Sequence, residues 1–341
     1  MRNKTIFIEL GNQIDKIINQ NTDNEALKTL QLTIAKAQHI NHWFSEANCL
    51  EALKGIRVWL EPENLSSFFT FYALSQVVIP KTVLVITPSN IPFVGFHDVF
   101  CVLATGNKVI VKPSSNDAQL LETFLLLIKT ISEEFYNQNI TVQSSIVKKE
   151  DFEAVIATGS NNTGRYFEAY FGHLPNIIRK NRNSLAILTG KETKEELYLL
   201  GKDIFQYYGL GCRNVTQIRL PINYDFNVFF EAIEPHKPII HHGAYCNNYT
   251  YHKALYSMNL VPFFDNNFLL LREDQQLHSP IGVLHYSYYS TPKDIEQYLE
   301  INKEQIQCTV GHQYIAFGET QQPNCFQYAD NVDTVQFLLT L

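Results

Sequence analysis

The chain has 341 residues, 45% hydrophobic and 18% charged, which is enough for more than one packed domain and excludes a disordered polyelectrolyte. Its 27 basic and 34 acidic side chains leave a net charge of −7 with no long basic block, so general nucleic-acid binding is disfavoured, although helix N-termini and local cations still suit a small anionic ligand. No window offers about eighteen uninterrupted apolar residues or a signal-peptide pattern, and the six cysteines form no close pairs of the disulfide or zinc type; a soluble, cytoplasmic protein without a transmembrane segment is expected.

In chain order, residues 1–24 are polar with one strand-like run, Thr5 to Leu10. Ala26 to Trp43, Phe44 to Trp59 and Leu65 to Gln76 read as helices. From Val77 the pattern changes. Val83 to Ile86 is a short continuous apolar run of the kind found in parallel strands covered on both faces. Phe93 to Ala104 supplies a crossover helix and Val109 to Val111 the next strand. Ser115 or Asn116 caps a helix reaching Phe135; Thr141 to Val147 and Ala154 to Ala157 follow as strands. This alternation is that of βαβ units, whose right-handed crossovers bring the loops after the strands to one edge, where ligands of such sheets bind. Those loops are Thr87 to Pro92, Lys112 to Ser115 and Thr158 to Gly164. The last leads into a helix from Arg165 to Phe171. Its glycines and exposed helix N–H groups form a phosphate cradle with Arg165 nearby, or an ordinary turn. It matches neither the GxGxxG fingerprint nor a Walker loop.

The cation-rich Arg179-Lys180-Asn181-Arg182-Asn183 is either a solvated turn or an anion-recognition element. Ser184 to Leu188 is a strand that Gly190 breaks. Lys194 to Tyr208 reads as a helix and Val215 to Leu220 as a strand stopped by Pro221. Between them lies Gly209-Leu210-Gly211-Cys212-Arg213-Asn214. Two glycines leave the Cys212 sulfur little shielded and let the backbone turn sharply. Arg213 beside it favours the thiolate, so Cys212 is the candidate nucleophile. Cys49, Cys101, Cys246, Cys308 and Cys325 read as inert small hydrophobes. Asp225 to Ile233 and Tyr249 to Met258 are helices, Phe268 to Leu271 and Ile281 to Tyr286 strands. Thr291, Pro292 and Asp294 start a helix through Leu299. Gln307 to Val310, Tyr314 to Phe317 and Val335 to Leu339 are strand-like.

The ordered set Thr87 to Pro92, Gly106 to Ser114, Thr158 to Gly164 and Gly209 to Cys212 resembles the aldehyde dehydrogenase superfamily. The Gly211-Cys212-Arg213-Asn214-Val215-Thr216 block, with Arg179 to Ala186, is similar to its acyl-CoA reductase branch, which includes the fatty-acid reductase component of bacterial bioluminescence. The resemblance covers residues 77 to 341. It implies an α/β fold with a Rossmann-type NAD(P)-binding domain (1–190, including the N-terminal helices), a catalytic domain around Cys212 (191–310), and C-terminal strands (311–341) returning to the cofactor domain or a subunit interface. Typical members are longer than this chain, so a shortened N-terminal region or a missing oligomerisation arm is expected.

By that resemblance Cys212 is the nucleophile and Asn90 the oxyanion-stabilising amide. Lys112 reaches the adenosine ribose or its 2′-phosphate. Ser114, Gly159, Ser160 and Gly164 lie near the cofactor phosphates, and Arg165, Arg179 and Arg182 are further anion-binding candidates. Oxidising members carry a glutamate in the block corresponding to Arg179 to Arg182, and no carboxylate stands there. A second family glutamate has no residue-for-residue match around Leu277-His278-Ser279-Pro280, with Glu273 nearby. The resemblance therefore implies NADPH-dependent reduction of an acyl-CoA or acyl-carrier thioester to the aldehyde through an acyl-Cys212 intermediate, with NADH as the alternative cofactor. The implied partners are an acyl-activating protein and a homo-oligomer. Against it stand an acyl transferase or thioester hydrolase using His241 or His242 as base, and a non-catalytic nucleotide-binding scaffold. His241 and His242 as metal ligands lack a supporting Cys, Asp or Glu set.

Overall fold

A computed structural model describes residues 2–74, 79–117, 119–145 and 151–341. The chain forms two compact units, residues 1–181 with 324–341 and residues 182–323. Among the described residues no helix is long and apolar enough to cross a membrane.

The first unit opens with four helices, α1 (Arg2–Ile18), α2 (Glu25–Ile40), α3 (Glu46–Trp59) and α4 (Pro62–Phe71). The run from Thr5 to Leu10 is therefore helix, not strand. Ile6, Phe7, Leu10, Ile14 and Ile17 are all buried, a spacing of three and four that fits one helical face. Asn24 and Ser45 cap α2 and α3, each side chain accepting a backbone N–H three residues on. The end of the expected Leu65 to Gln76 helix lies outside the described residues.

Next come β1 (Thr82–Ile86), α5 (Phe96–Ala104), β2 (Lys108–Lys112), α6 (Leu120–Ile131), α7 (Glu133–Asn139), β3 (Ile140–Val142), β4 (Ala154–Thr158), α8 (Asn161–Phe171) and β5 (Asn176–Arg179). The expected helix to Phe135 breaks at Ser132, whose extended backbone ends α6 while its side chain caps α7. The last two residues of the expected Thr141 to Val147 strand lie outside the described residues. All five strands are parallel, in the order β3-β2-β1-β4-β5. The chain winds outward from β1 to β3, then returns to β4 on the other side of β1. The crevice for a ligand thus opens beyond the carboxyl ends of β1 and β4, the reversal point of a doubly wound sheet.

The second unit holds β6 (Asn183–Ile187), α9 (Lys194–Phe205), β7 (Val215–Pro221), α10 (Phe226–Ile233), α11 (Gly243–Met258), β8 (Phe264–Asp265), β9 (Leu270–Glu273), β10 (Val283–Tyr289), α12 (Pro292–Asn302) and β11 (Ile306–Val310). They build a six-stranded sheet, β11-β6-β7-β10-β9-β8, parallel except for the β8 edge. One face is an apolar core in which Ala186, Ile218, Leu220 and Leu284 meet Leu197, Leu200 and Phe229.

Two boundaries differ from the sequence reading. Strand β6 pairs within the second sheet, so the chain changes unit at residue 181 instead of 190. The segment after β11 stays in the second unit to residue 323, and Tyr314 to Phe317 contributes one bridge, Val310 to Ile315. The C-terminal residues do return to the first unit, but as helix α13 (Thr334–Leu339) packed on α5, not as strands. Thr334, Val335 and Leu338 are buried together on one helical face.

One ion pair ties this return. Arg179, 3% exposed at the end of β5, donates to Asp98 of α5 at 2.6 Å and to the Thr334 hydroxyl at 2.8 Å. Removing one member of a buried pair strands the other charge. Arg179→Ala is expected to cost about 3–5 kcal/mol, read as a lowered denaturant midpoint, and Asp98→Asn, which keeps an acceptor, less.

Buried Asp117 accepts the Leu121 N–H at the start of α6, and burial pushes its carboxyl up to about 7. The folded state therefore binds a proton that the unfolded chain has already lost. Its stability contribution falls as pH rises from about 4 to 7 and is flat above. Asp117→Asn should raise stability at pH 8, by at most on the order of 4 kcal/mol, and leave it unchanged at pH 4, as equilibrium melts at the two pH values will show.

Candidate active site

In the first unit, the loops after β1 and β2 are laced together at the ligand edge. Asn41 donates from its amide to the carbonyls of Ser89 and Asn116, each at 3.1 Å, and the Ser89 hydroxyl donates to that of Ser114 at 2.9 Å. Thr87 N–H donates to the Lys112 carbonyl, which fixes Lys112 at the same level as the β1 exit. A Cβ at Gly95 would lie 2.1 Å from the Thr87 Cγ2, so only glycine lets the chain pass there on its way into α5. The Thr87 hydroxyl is buried without a hydrogen-bond partner.

Beyond β4, Ser160 caps the eleven-residue α8 and accepts the Thr163 N–H. A Cβ at Gly159 would stand 3.0 Å from Thr163, and one at Gly164 2.9 Å from the Lys180 stem. This is a tight backbone turn above a helix N-terminus, the arrangement that receives phosphate. Ser114, Gly159, Ser160 and Lys112 therefore share one edge of one sheet. Arg165 is exposed on α8. The unpartnered Thr87 hydroxyl and the glycine turn fit a dinucleotide laid along this edge.

In the second unit, Cys212 sits on the turn between α9 and β7. Asn214 builds that turn. It is fully buried, and its Oδ1 accepts the Gly211 N–H at 2.7 Å while its Nδ2 faces the carbonyls of Asp203, Ile204 and Gln206 at 3.0, 3.3 and 2.9 Å. Carbonyls in the last turn of a helix have no partner inside it, so one amide satisfies the end of α9 and also clamps the residue preceding Cys212. Ser184 of β6 donates its hydroxyl to the Cys212 carbonyl at 3.0 Å. The approach is strained: Tyr207, Tyr208 and Gly209 have φ of 50°, 59° and 80°, and left-handed backbone costs a non-glycine residue about 1–2 kcal/mol. Tyr207 is held there by burial, and the Tyr208 ring stacks on His242 with centroids 4.0 Å apart.

Several expectations are corrected. Arg213 reaches a second thiol besides its chain neighbour: its Nη1 lies 3.2 Å from the Cys308 sulfur. Arg179 is a structural cation neutralised by Asp98, not an anion receptor. Arg182 is spent on the carbonyls of Lys303 and Ile306 and on Glu304. His242 caps α11 through Nδ1, at 3.3 Å from the Tyr245 N–H, and His241 is exposed. In the Leu277 to Pro280 stretch Leu277 packs in the core and the Ser279 hydroxyl bonds the Val283 carbonyl, while Glu273 is exposed at the end of β9. A pocket lined by Phe205, Tyr208, Gly209, Thr216, Tyr245 and Gly282 lies in the second unit, and Cys212 is not in its lining. Asn214 stands within the cysteine block of the sequence. Its role was hidden there because its partners lie eight to eleven residues upstream.

Residues 32–179 match the model of the aldehyde dehydrogenase family. An aldehyde dehydrogenase of Craterostigma plantagineum is 26% identical over 157 residues, 42% of this chain and 32% of that protein. The chloroplastic aldehyde dehydrogenase family 3 member I1 of Arabidopsis thaliana is 26% identical over 135 residues, 37% of this chain and 24% of that protein. This chain thus spans a third or less of the length of these relatives. Among solved structures, an oxidoreductase from Marinobacter aquaeolei aligns with a TM-score of 0.61 at 12% identity, covering 93% of this chain and 74% of that one. The indole-3-acetaldehyde dehydrogenase AldA of P. syringae, in complex with NAD+ and IAA, aligns with a TM-score of 0.59 at 13% identity, covering 91% and 71%. The fold is aldehyde dehydrogenase-like, with a Rossmann-type nucleotide-binding domain and a catalytic domain.

These matches overturn the expected thioester reduction. The relatives are named as aldehyde dehydrogenases, and nothing in the matches supports the acyl-CoA reductase branch. The Arg179 to Arg182 block does not choose the direction either: a missing carboxylate there removes a route of acyl release without selecting reduction, and Arg179 neutralises Asp98.

Of the six cysteines, Cys49, Cys101, Cys308 and Cys325 are buried, and only Cys212 and Cys246 are partly exposed. Burial raises the Cys308 thiol despite Arg213 beside it and pushes Cys49 up to about 12. Iodoacetamide on the native protein is expected to label Cys212 and Cys246 first, as peptide mass spectrometry will show. Asn214→Ala should lower stability by about 3 kcal/mol or more, since it strands buried carbonyls and an N–H, and should release Cys212 from its set position.

Proposed function

We propose that the chain catalyses NAD(P)-linked oxidation of an aldehyde through Cys212. The observation that carries this reading is the Cys212 turn, a half-buried thiol on a strained backbone clamped by a fully buried asparagine. Strain of this kind persists only where surrounding structure over-determines it, and it gathers at sites of chemistry.

In this reading the Cys212 thiolate adds to the aldehyde carbon and gives a thiohemiacetal. Loss of hydride from that carbon leaves an acyl thioester on Cys212, and water then releases the acid and restores the thiol. The dinucleotide supplies the hydride acceptor. Asn90, in the loop after β1, is assigned as a donor to the developing oxyanion. Ser114, Gly159, Ser160 and Gly164 are assigned to the cofactor phosphates, with Arg165 as an accessory cation. Lys112 is assigned to the adenosine ribose. A lysine there serves either cofactor, but the added charge of a 2′-phosphate makes NADP the better partner.

The block from Arg179 to Arg182 carries no carboxylate to activate the hydrolytic water, so release of the acyl group is the slow step. Mixing the protein with an aldehyde and NADP+ is expected to give a burst of reduced nicotinamide of about one per chain, then slower turnover. An acylated Cys212 peptide should accumulate and be visible by mass spectrometry. Cys212→Ala should lose burst and turnover together, and Asn90→Ala should slow the burst by about 10²-fold or more. Lys112→Ala should weaken NADP+ at least tenfold and NAD+ less. Full turnover in Cys212→Ala would exclude the mechanism, and linear progress without a burst would remove the slow-release step.

A further inference from the structure

Away from Cys212, the second sheet carries a buried polar strip with an unanswered charge. Strands β7 and β10 are parallel neighbours in which Gln217 faces His285 and Arg219 faces Ser287, so these four side chains project from one face of the sheet. The opposite face, with Ile218, Leu220, Leu284 and Tyr286, is apolar core. All four are sequestered: Gln217 0%, Arg219 7%, His285 2% and Ser287 0% exposed.

Gln217 is satisfied. Its amide N–H groups face the carbonyls of Asp274 and Gln276 at 3.2 and 3.3 Å, and its oxygen accepts from the Tyr298 hydroxyl at 2.8 Å. The other three are not. Arg219 Nε and Nη2, the Ser287 hydroxyl and His285 Nε2 have no hydrogen-bond partner, and among the described residues Arg219 has no ion pair. The Tyr298 ring of α12 stacks on the guanidinium at 3.4 Å, which covers the face of the fork and leaves its edge unanswered. Nε and Nη2 together are the edge that matches two oxygens of one planar anion. His285 Nδ1 lies 2.9 Å from the Gln276 carbonyl; a carbonyl only accepts, so Nδ1 holds the proton and Nε2 meets the strip as an acceptor in the neutral ring.

We propose that Arg219 and Ser287 form a binding site for a small carboxylate, closed by Tyr298 of α12. The carboxylate takes both N–H groups of the Arg219 edge and the Ser287 hydroxyl, and so supplies the counter-charge that the sheet lacks. The site is sealed in the state described here, and α12 is its lid. No residue of α12 is fully buried; it rests on Ile295, Tyr298 and Leu299, half-buried against Leu185, Ile187 and Ile306. Tyr298 lies against the strip through Gln217 and Arg219, so entry requires its hydroxyl to leave Gln217 and its ring to slide off Arg219.

The test is thermal unfolding of the full chain in sodium acetate against sodium chloride at equal ionic strength. Acetate is expected to raise the wild-type Tm in a saturable way beyond chloride. Arg219→Met should abolish that extra shift. Ser287→Ala, a small change that keeps the fold measurable if Arg219→Met does not refold, should raise the half-saturating acetate concentration about tenfold. Lys112→Ala, at the nucleotide edge of the other unit, should leave the shift intact. No acetate effect beyond chloride in wild type, an undiminished effect in Arg219→Met or Ser287→Ala, or its loss in Lys112→Ala would each overturn the proposal.

Discussion

The candidate chemistry rests on one side-chain amide. Helix α9 stops just before a run of three left-handed residues, and its last carbonyls would face a dry interior with nothing to receive. Asn214 fills that role with one end and fixes the Gly211 N–H with the other. The consequence reaches beyond stability. A cysteine on a free loop samples many orientations, whereas one on a turn nailed at its N-terminal side by Asn214 and at its own carbonyl by Ser184 is held in a set position. Orientation of this kind is what converts a thiol into a nucleophile with a defined line of attack.

The alternation of short apolar runs and helices was legible because buried parallel strands read as continuous hydrophobic segments. It located β1, β2, β4, β6 and β7, and with them the edge where Lys112, Ser114 and Ser160 meet. Errors arose where a short window hid a longer period. Ile6-Phe7-Ile8 looks like a strand until Leu10, Ile14 and Ile17 are set beside it on one helical face, and Val335 to Leu339 misleads for the same reason. Strand β5 shows no such run, since its apolar centre is only Ile177-Ile178, between Asn176 and Arg179. No local pattern could show that Arg179 is neutralised by Asp98, 81 residues earlier, or that Arg213 turns to Cys308. Such pairings are made by topology, and i,i+1 adjacency to a nucleophile says little about where a guanidinium points.

The mistaken direction of the reaction has a similar physical origin. A missing carboxylate is no positive sign of thioester reduction. Loss of a general base removes one route of acyl release; it does not create a thioester site or choose the direction of hydride flow. A clamped thiol and a cradle above α8 are equally compatible with either direction of hydride flow.

The two buried arginines show how differently one fold handles the same charge. Arg179 leaves water with a carboxylate at 2.6 Å and a hydroxyl at 2.8 Å, so its desolvation is offset by partners within its own unit. Arg219 leaves water with an aromatic face and no anion. A cation–π contact offsets only part of the cost of taking a guanidinium out of water. A guanidinium so placed, with a hydroxyl on the facing strand and its Nε and Nη2 unpartnered, is what makes this strip the place proposed for an anion from outside the chain.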